Sequence, residues 1–235
     1  MNYIDFYVLS FLRQPWSGQN VIDSMAVLFQ GNNLIKGGLL IGLLWFAWFR
    51  ADNDLANRRQ IVIACIVSAI AAAALSRIFT HLFPLGVRPF EIQDLNIPRP
   101  LSVLYEIKGG SFPSDHAALA FAIVTSLFFM WPLVGLLTAL YVSLFIALPR
   151  MYLGIHWFSD IIGGALIGIT LSFVLSWNKV REWLARPILR WHDLLPEIFY
   201  PVMFLVVFGL MTRFDDYRSI INWIIQFGPE LLSVK

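Results

Sequence analysis

Residues 61–83 read IVIACIVSAIAAAALSRIFTHLF, a run that carries no charge before Arg77. About 20 mostly apolar residues suffice to carry a helix across the hydrocarbon core of a bilayer. Inside that core every backbone amide and carbonyl needs a partner within its own segment, which an α-helix provides. Further apolar stretches lie at 34–49, 117–131, 132–148, 158–177 and, shorter, at 198–211. The block 117–148 is continuous and breaks at Trp131-Pro132, because proline lacks an amide donor and disfavours helix for the residue before it. The expected fold is therefore all-α, a polytopic transmembrane bundle of about six spans. Only 14% of residues are charged, where a soluble domain carries roughly 25%.

Residues 3–29 mix aromatic and aliphatic residues with Asp5, Arg13 and Asp23. They read as interfacial amphipathic helices or as a short re-entrant pair. Residues 178–235 form a C-terminal extension holding the span at 198–211, and its SIINWIIQF stretch fits the membrane interface. With no linker or repeat, the chain reads as one membrane domain, 1–235, with 1–33 interfacial. The first dozen residues lack the basic start and cleavage site of a secretory signal peptide. A net charge of +2 gives no footing for a nucleic-acid partner. The single cysteine, Cys65, excludes an internal disulfide and reads as a small buried apolar residue.

Counting spans puts the end of the second helix near His81, the start of the third after His116, and the junction 149–157 on one membrane face. The loops 50–60 and 178–197 fall on the other, with Arg50, Arg58, Arg59, Lys179, Arg181, Arg186 and Arg190. The first face carries Arg88, Arg99, Lys108 and Arg150, and the tails add Arg13, Lys36, Arg213, Arg218 and Lys235 to it. The excess of basic loop residues marks the second face as cytoplasmic. The expected location is the inner membrane, with the first face toward the periplasm or exterior.

Three short stretches meet at that first face: HLFPLGVRPF (81–90), SFPSDH (111–116) and PRMYLGIHWFSD (149–160). Ionisable groups beside apolar spans are costly unless they pair or work. Two guanidinium groups, Arg88 and Arg150, can grip phosphoryl oxygens. Ser114 and the amides that open the next helix add donors for an anion. His156 can attack phosphorus, with Asp160, four residues on, orienting it across one helical turn. His116 is left to protonate a leaving oxygen. This inventory calls for no metal and no cofactor, and no HExxH, cysteine cluster or paired-carboxylate motif is present.

These stretches resemble the three signature motifs of the type 2 phosphatidic acid phosphatase superfamily, the membrane lipid phosphate phosphatases. Arg88-Pro89, Pro113-Ser114-x-His116 and Arg150-x5-His156-x3-Asp160 carry the resemblance. It implies His156 as the nucleophile that becomes phosphohistidine, Asp160 as its orienting acid, and His116 as general acid. It implies Arg88, Arg150 and Ser114 as the phosphoryl-binding groups. Three positions depart from the pattern: His81 stands where the family has lysine, Asp115 where it has glycine, and Pro149 where it has serine. The Ser-Asp-His form is most similar to the bacitracin-resistance branch, the bacterial undecaprenyl diphosphate phosphatases.

His81 and Asp115 are added as candidate substrate-binding residues, with alternatives beside them. His81 reads either as the lysine's replacement or as an interfacial histidine, and Arg77 one turn earlier is a second source of charge. Asp115 reads as an orienter of His81 or of another site group, or as a cap at the start of the third helix. Lys108-Gly109-Gly110 reads as a flexible loop or a phosphate-cradling turn. Trp157 is the tryptophan placed to touch substrate, the others being interface aromatics. Gly163, Gly164 and Gly168 suit close helix packing.

The expected activity is removal of the terminal phosphate from a lipid phosphate or diphosphate, with undecaprenyl diphosphate preferred, serving lipid-carrier recycling for cell-wall synthesis. The alternative is a phosphatase or phosphotransferase acting on phosphatidylglycerophosphate, phosphatidic acid or lipid A. A non-enzymatic alternative is an anionic-lipid transporter, whose usual similar halves of broken helices are not seen here. The expected partners are the lipid substrate and membrane lipids.

Overall fold

The structure is a computed structural model that describes residues 3–15, 20–51, 53–83, 85–97, 110–212, 214–217, 219–221 and 223–225. Lys108, Gly109, Arg99, Arg213, Arg218 and Lys235 lie outside the described residues. All regular elements among the described residues are helical.

Helices α1 (Tyr3–Arg13) and α2 (Val21–Gly31) come first. A π turn, Leu34–Gly38, leads into α3 (Leu39–Phe49). The 28-residue α4 (Leu55–Leu82) follows, and two 3-10 turns, Pro89–Glu91 and Gln93–Leu95, lead toward α5 (Asp115–Met130). As the dipeptide Trp131-Pro132 predicts, the chain breaks there, and Pro132 occupies the first turn of α6 (Pro132–Val142), where its missing amide costs nothing. A π turn, Ser143–Ala147, joins α6 to α7 (Leu148–Tyr152), so that Pro132–Tyr152 forms one apolar rod of 21 residues. Then come α8 (Phe158–Leu175), α9 (Asn178–Leu194) and α10 (Pro196–Met211).

Helix α5 is central and packs against α4, α6 and α8. Between helices in lipid the hydrophobic effect adds little, so association rests on close packing and interhelical hydrogen bonds. Both are present. A Cβ on Gly168 would lie 2.1 Å from the Ala118 carbonyl oxygen, and one on Gly135 would lie 2.4 Å from the Phe128 Cα. The hydroxyls of Ser126 and Ser172 meet at 2.8 Å in the buried seam between α5 and α8. At the far end of the bundle, buried Arg58 of α4 donates through Nε to Ala47 O at 2.9 Å and through Nη2 to Arg50 O. It thereby satisfies carbonyls that the last turn of α3 leaves without amide partners.

Two expectations change. Among the described residues three helices are long and apolar enough to span, or five if each bent pair counts as one, where about six are expected. The expected spans at 34–49 and 198–211 fall within those bent pairs: α2 meets Leu34–Phe49 at 62°, and α10 meets Asp215–Ile225 at 98°. Helix α5, with 16 residues, is shorter than a full span. Second, the stretch 178–197, expected as a loop, is largely the amphipathic helix α9 packed on α4. Helices α1 and α2 dock on α7 and α8.

Candidate active site

The end of α4, the starts of α5 and α8, and the end of α7 meet at one end of the bundle. Each motif sits there for a local reason. Arg88 precedes a proline, which pushes it into extended backbone (φ −68°, ψ 146°) ahead of the turn Pro89–Glu91. Its buried guanidinium donates through Nη1 to Ile155 O at 3.0 Å and through Nη2 to Gly110 O at 3.2 Å. It thus ties the second and third motifs together. Ser114 caps α5, its hydroxyl accepting from Ala117 N at 3.5 Å. Its own amide donates to Asp160 O at 3.0 Å, so the first turn of α8 holds the start of α5. Gly164 permits this: a Cβ there would lie 2.2 Å from Ser114 O.

His156 and Asp160 are brought together differently from the shared helical face expected of them. His156 precedes α8, whereas Asp160 is the third residue of that helix and reaches back over its start. Its Oδ2 accepts from Trp157 N at 2.8 Å, the backward half of a capping box. The same oxygen faces His156 Nδ1 at 3.4 Å, and Ser111 O faces that nitrogen at 3.0 Å. With two acceptors before it, Nδ1 carries the hydrogen, and Nε2 keeps its lone pair. Ser111 Oγ donates to Asp160 Oδ1 at 3.4 Å. The ring is buried, at 4% exposure. Burial holds its pKa below the ordinary 6.5, and Arg150 and Arg88 press in the same direction, while the hydrogen bond to Asp160 opposes them. His156 is therefore a neutral imidazole at neutral pH.

His116 lies within a second polar chain. Arg150 Nη2 stands 2.8 Å from its Nε2. A guanidinium only donates, so Nε2 accepts and Nδ1 bears the hydrogen. That hydrogen points to Asp115 Oδ1 at 2.9 Å, and Asp115 Oδ2 takes Arg77 Nε at 2.9 Å. Arg77 Nη2 in turn lies 3.5 Å from Asp215, beyond α10. Of the readings of Asp115, orientation of a site histidine is the one its contacts match; Ser114 does the capping. His81 does not join the cluster. Its Nδ1 meets Arg77 O at 2.9 Å on its own helix, and its ring is exposed. Arg77, not His81, stands close to the motif residues.

Several partners come from far away in sequence. Gln30 of α2 accepts from Arg150 Nη1 at 3.4 Å. Buried Asp5 of α1 caps α8, taking Ser159 N and Ser159 Oγ, each at 2.8 Å. Asp23 accepts from Tyr152 Oη, and Arg13 donates to Tyr152 O at 3.0 Å. Trp157 donates through Nε1 to Val87 O at 2.8 Å and is itself buried, which locks the first motif to the third. A cavity of about 20 Å³ is lined by His116, apolar Leu119, Ile146, Leu210 and Met211, and Lys36. No group of three or more metal-ligating side chains occurs among the described residues.

The sequence model of the PAP2 superfamily matches residues 61–183, which take in all four element ends described above and the core they rest on. The chain belongs to the PAP2 superfamily. As a PAP2 protein with apolar spanning helices it is an integral membrane phosphatase, a hydrolase. It is 30% identical over 188 residues to an undecaprenyl-diphosphatase of Sulfolobus acidocaldarius, covering 72% of this chain and 85% of that protein. It is also 30% identical over 176 residues to lipid A 1-diphosphate synthase of Escherichia coli K12, covering 68% and 70%. The crystal structure of LpxE from Aquifex aeolicus superimposes with a TM-score of 0.51 at 25% identity, covering 74% of this chain and 98% of that one.

Proposed function

We propose that this PAP2 phosphatase hydrolyses the terminal phosphate of a polyprenyl diphosphate through a phosphohistidine on His156. The observation that carries the reading is the orientation of His156: Nδ1 is held by Ser111 O and Asp160, which leaves the Nε2 lone pair as the nucleophile. In the first step Nε2 bonds to phosphorus, the bond from phosphorus to the bridging oxygen breaks, and that oxygen leaves with the electron pair. His116 first takes a proton at Nε2 from solvent or from the substrate phosphate, Asp115 stabilising the imidazolium at Nδ1, and hands that proton to the leaving oxygen. For this the contact from Arg150 to Nε2 opens, and phosphoryl oxygens are the stronger acceptors for a guanidinium. Arg88 and Arg150 then offset the charge that builds on the transferring group. In the second step His116 takes a proton from water, the hydroxide oxygen bonds to phosphorus, and the nitrogen–phosphorus bond breaks. Inorganic phosphate leaves and His156 is restored.

Undecaprenyl diphosphate is the preferred substrate. The Ser-Asp-His motif supports it, as does similarity to a protein named for that activity. Leu119, Ile146 and Leu210 beside His116 give the site an apolar flank. The similarity to lipid A 1-diphosphate synthase supports lipid A as the second reading. We place the site on the periplasmic or outer face of the inner membrane, on the excess of basic residues in the opposite loops. A substrate panel tests the reading: phosphate release from undecaprenyl diphosphate, lipid A and phosphatidylglycerophosphate, with a chelator present. Fastest release from undecaprenyl diphosphate supports it. Release from phosphatidylglycerophosphate or lipid A with none from the polyprenyl substrate overturns it.

A further inference from the structure

At the opposite end of the bundle, where α8 turns into α9, lies a cavity of about 380 Å³. Its polar end is formed by Asn57, Ser176, Asn178 and Arg181, and its apolar end includes Phe129 and Phe173, whose ring centroids are 5.9 Å apart. Arg181 is anchored through Nη2, which donates to Asn57 Oδ1 at 2.6 Å. Its Nε is buried and has no hydrogen-bond partner among the described residues, and neither has the Ser176 hydroxyl. Ser176 is only 9% exposed, so water does not readily serve it in place of a partner. A buried donor left in this state costs about 1–3 kcal/mol, and a bound acceptor removes that cost. The first turn of α9 opens at the same place, with its free amides and the positive end of its dipole. The Trp177 side chain, 64% exposed, marks this level as the membrane interface.

We infer that this corner is a binding site for the phosphodiester headgroup of a membrane glycerophospholipid, separate from the catalytic end. Arg181 Nε, the Ser176 hydroxyl and the α9 amides would donate to the phosphate oxygens. The exposed Phe129 and Phe173 rings would carry the adjoining acyl chain. The donor set is purely cationic and neutral, as an anion requires. The apolar half of the cavity selects a lipid over free phosphate. The site would clamp α9 to α4 and α8 and so fix the end of the bundle that the active site does not use.

Full-length protein purified in mild detergent tests this by native mass spectrometry with added phosphatidylglycerol. The parent should retain one lipid that millimolar inorganic phosphate does not displace. Arg181→Gln and Ser176→Ala should each weaken retention about tenfold, the loss of one charge-assisted or neutral hydrogen bond. Phosphate release at the other end should stay at the parent rate in Ser176→Ala, which shows that this variant is folded. Equal lipid retention by parent and Ser176→Ala would overturn the site, and displacement by phosphate alone would overturn the lipid as its occupant.

Discussion

The carboxylate of Asp115 bridges two side chains, with Oδ1 2.9 Å from His116 Nδ1 and Oδ2 2.9 Å from Arg77 Nε. The residue that departs from the family's Pro-Ser-Gly-His pattern is thus the one that touches the proposed general acid. Asp115→Asn should lower kcat about 100-fold, the low end of what a positioned acid–base group supplies. Arg77→Gln should produce a smaller loss with the same character. An aryl phosphate with a good leaving group, which departs without protonation, should shrink both defects. An equal defect on both kinds of substrate would assign Asp115 a purely structural task.

The acid limb of kcat/KM should fall below pH 6.5. Burial disfavours the imidazolium of His156, so a lower pH is needed to protonate Nε2 and silence it. The hydrogen bond that His156 donates to Asp160 works against burial, so its removal should depress the value further. Asp160→Asn is therefore expected to lose turnover and to move the remaining acid limb to lower pH. A pH–rate profile with the limb moving upward would contradict the arrangement of the pair.

Gly164 should tolerate no side chain. A Cβ there would press on Ser114 O at 2.2 Å and part the second motif from the third. Gly164→Ala should lower stability by about 1–3 kcal/mol, typical of overpacking, and reduce turnover as well. The midpoint of thermal unfolding in detergent, read beside phosphate release, checks both.

The N-terminal helices should matter to the site although they stand outside the motifs. Asp5→Ala removes both acceptors of Ser159 and the cap of α8, at a cost of about 0.5–2 kcal/mol. Gln30→Ala should raise KM more than it lowers kcat, because Gln30 holds Arg150 from behind. Steady-state kinetics on the two variants separates the effects.

Much of the candidate site is legible in the sequence because its polar residues sit in three short contiguous runs. Arg88, Ser114, His116, Arg150, His156 and Asp160 could be read from residue type and spacing, and the count of spans put them at one end. What spacing could not give was the choice among partners. Arg77 and Asp115 were both visible as charges, but only the packing of α4 against α5 pairs them. Asp5, Asp23 and Gln30 act on residues more than a hundred positions away, and acids in an amphipathic segment look solvated until the segment is docked. The charges of α9 hide its helical apolar face from a hydropathy window, so the stretch reads as a loop in the sequence. His81 stands in the lysine's register, while its ring is tied to its own helix.

The most direct test is rapid quenching of the enzyme with substrate labelled in the terminal phosphate, followed by mapping of the labelled peptide. A transient, acid-labile label on His156, absent in His156→Ala together with all turnover, is the predicted result. Retained phosphate release by His156→Ala, or a label resting on another residue, would contradict it.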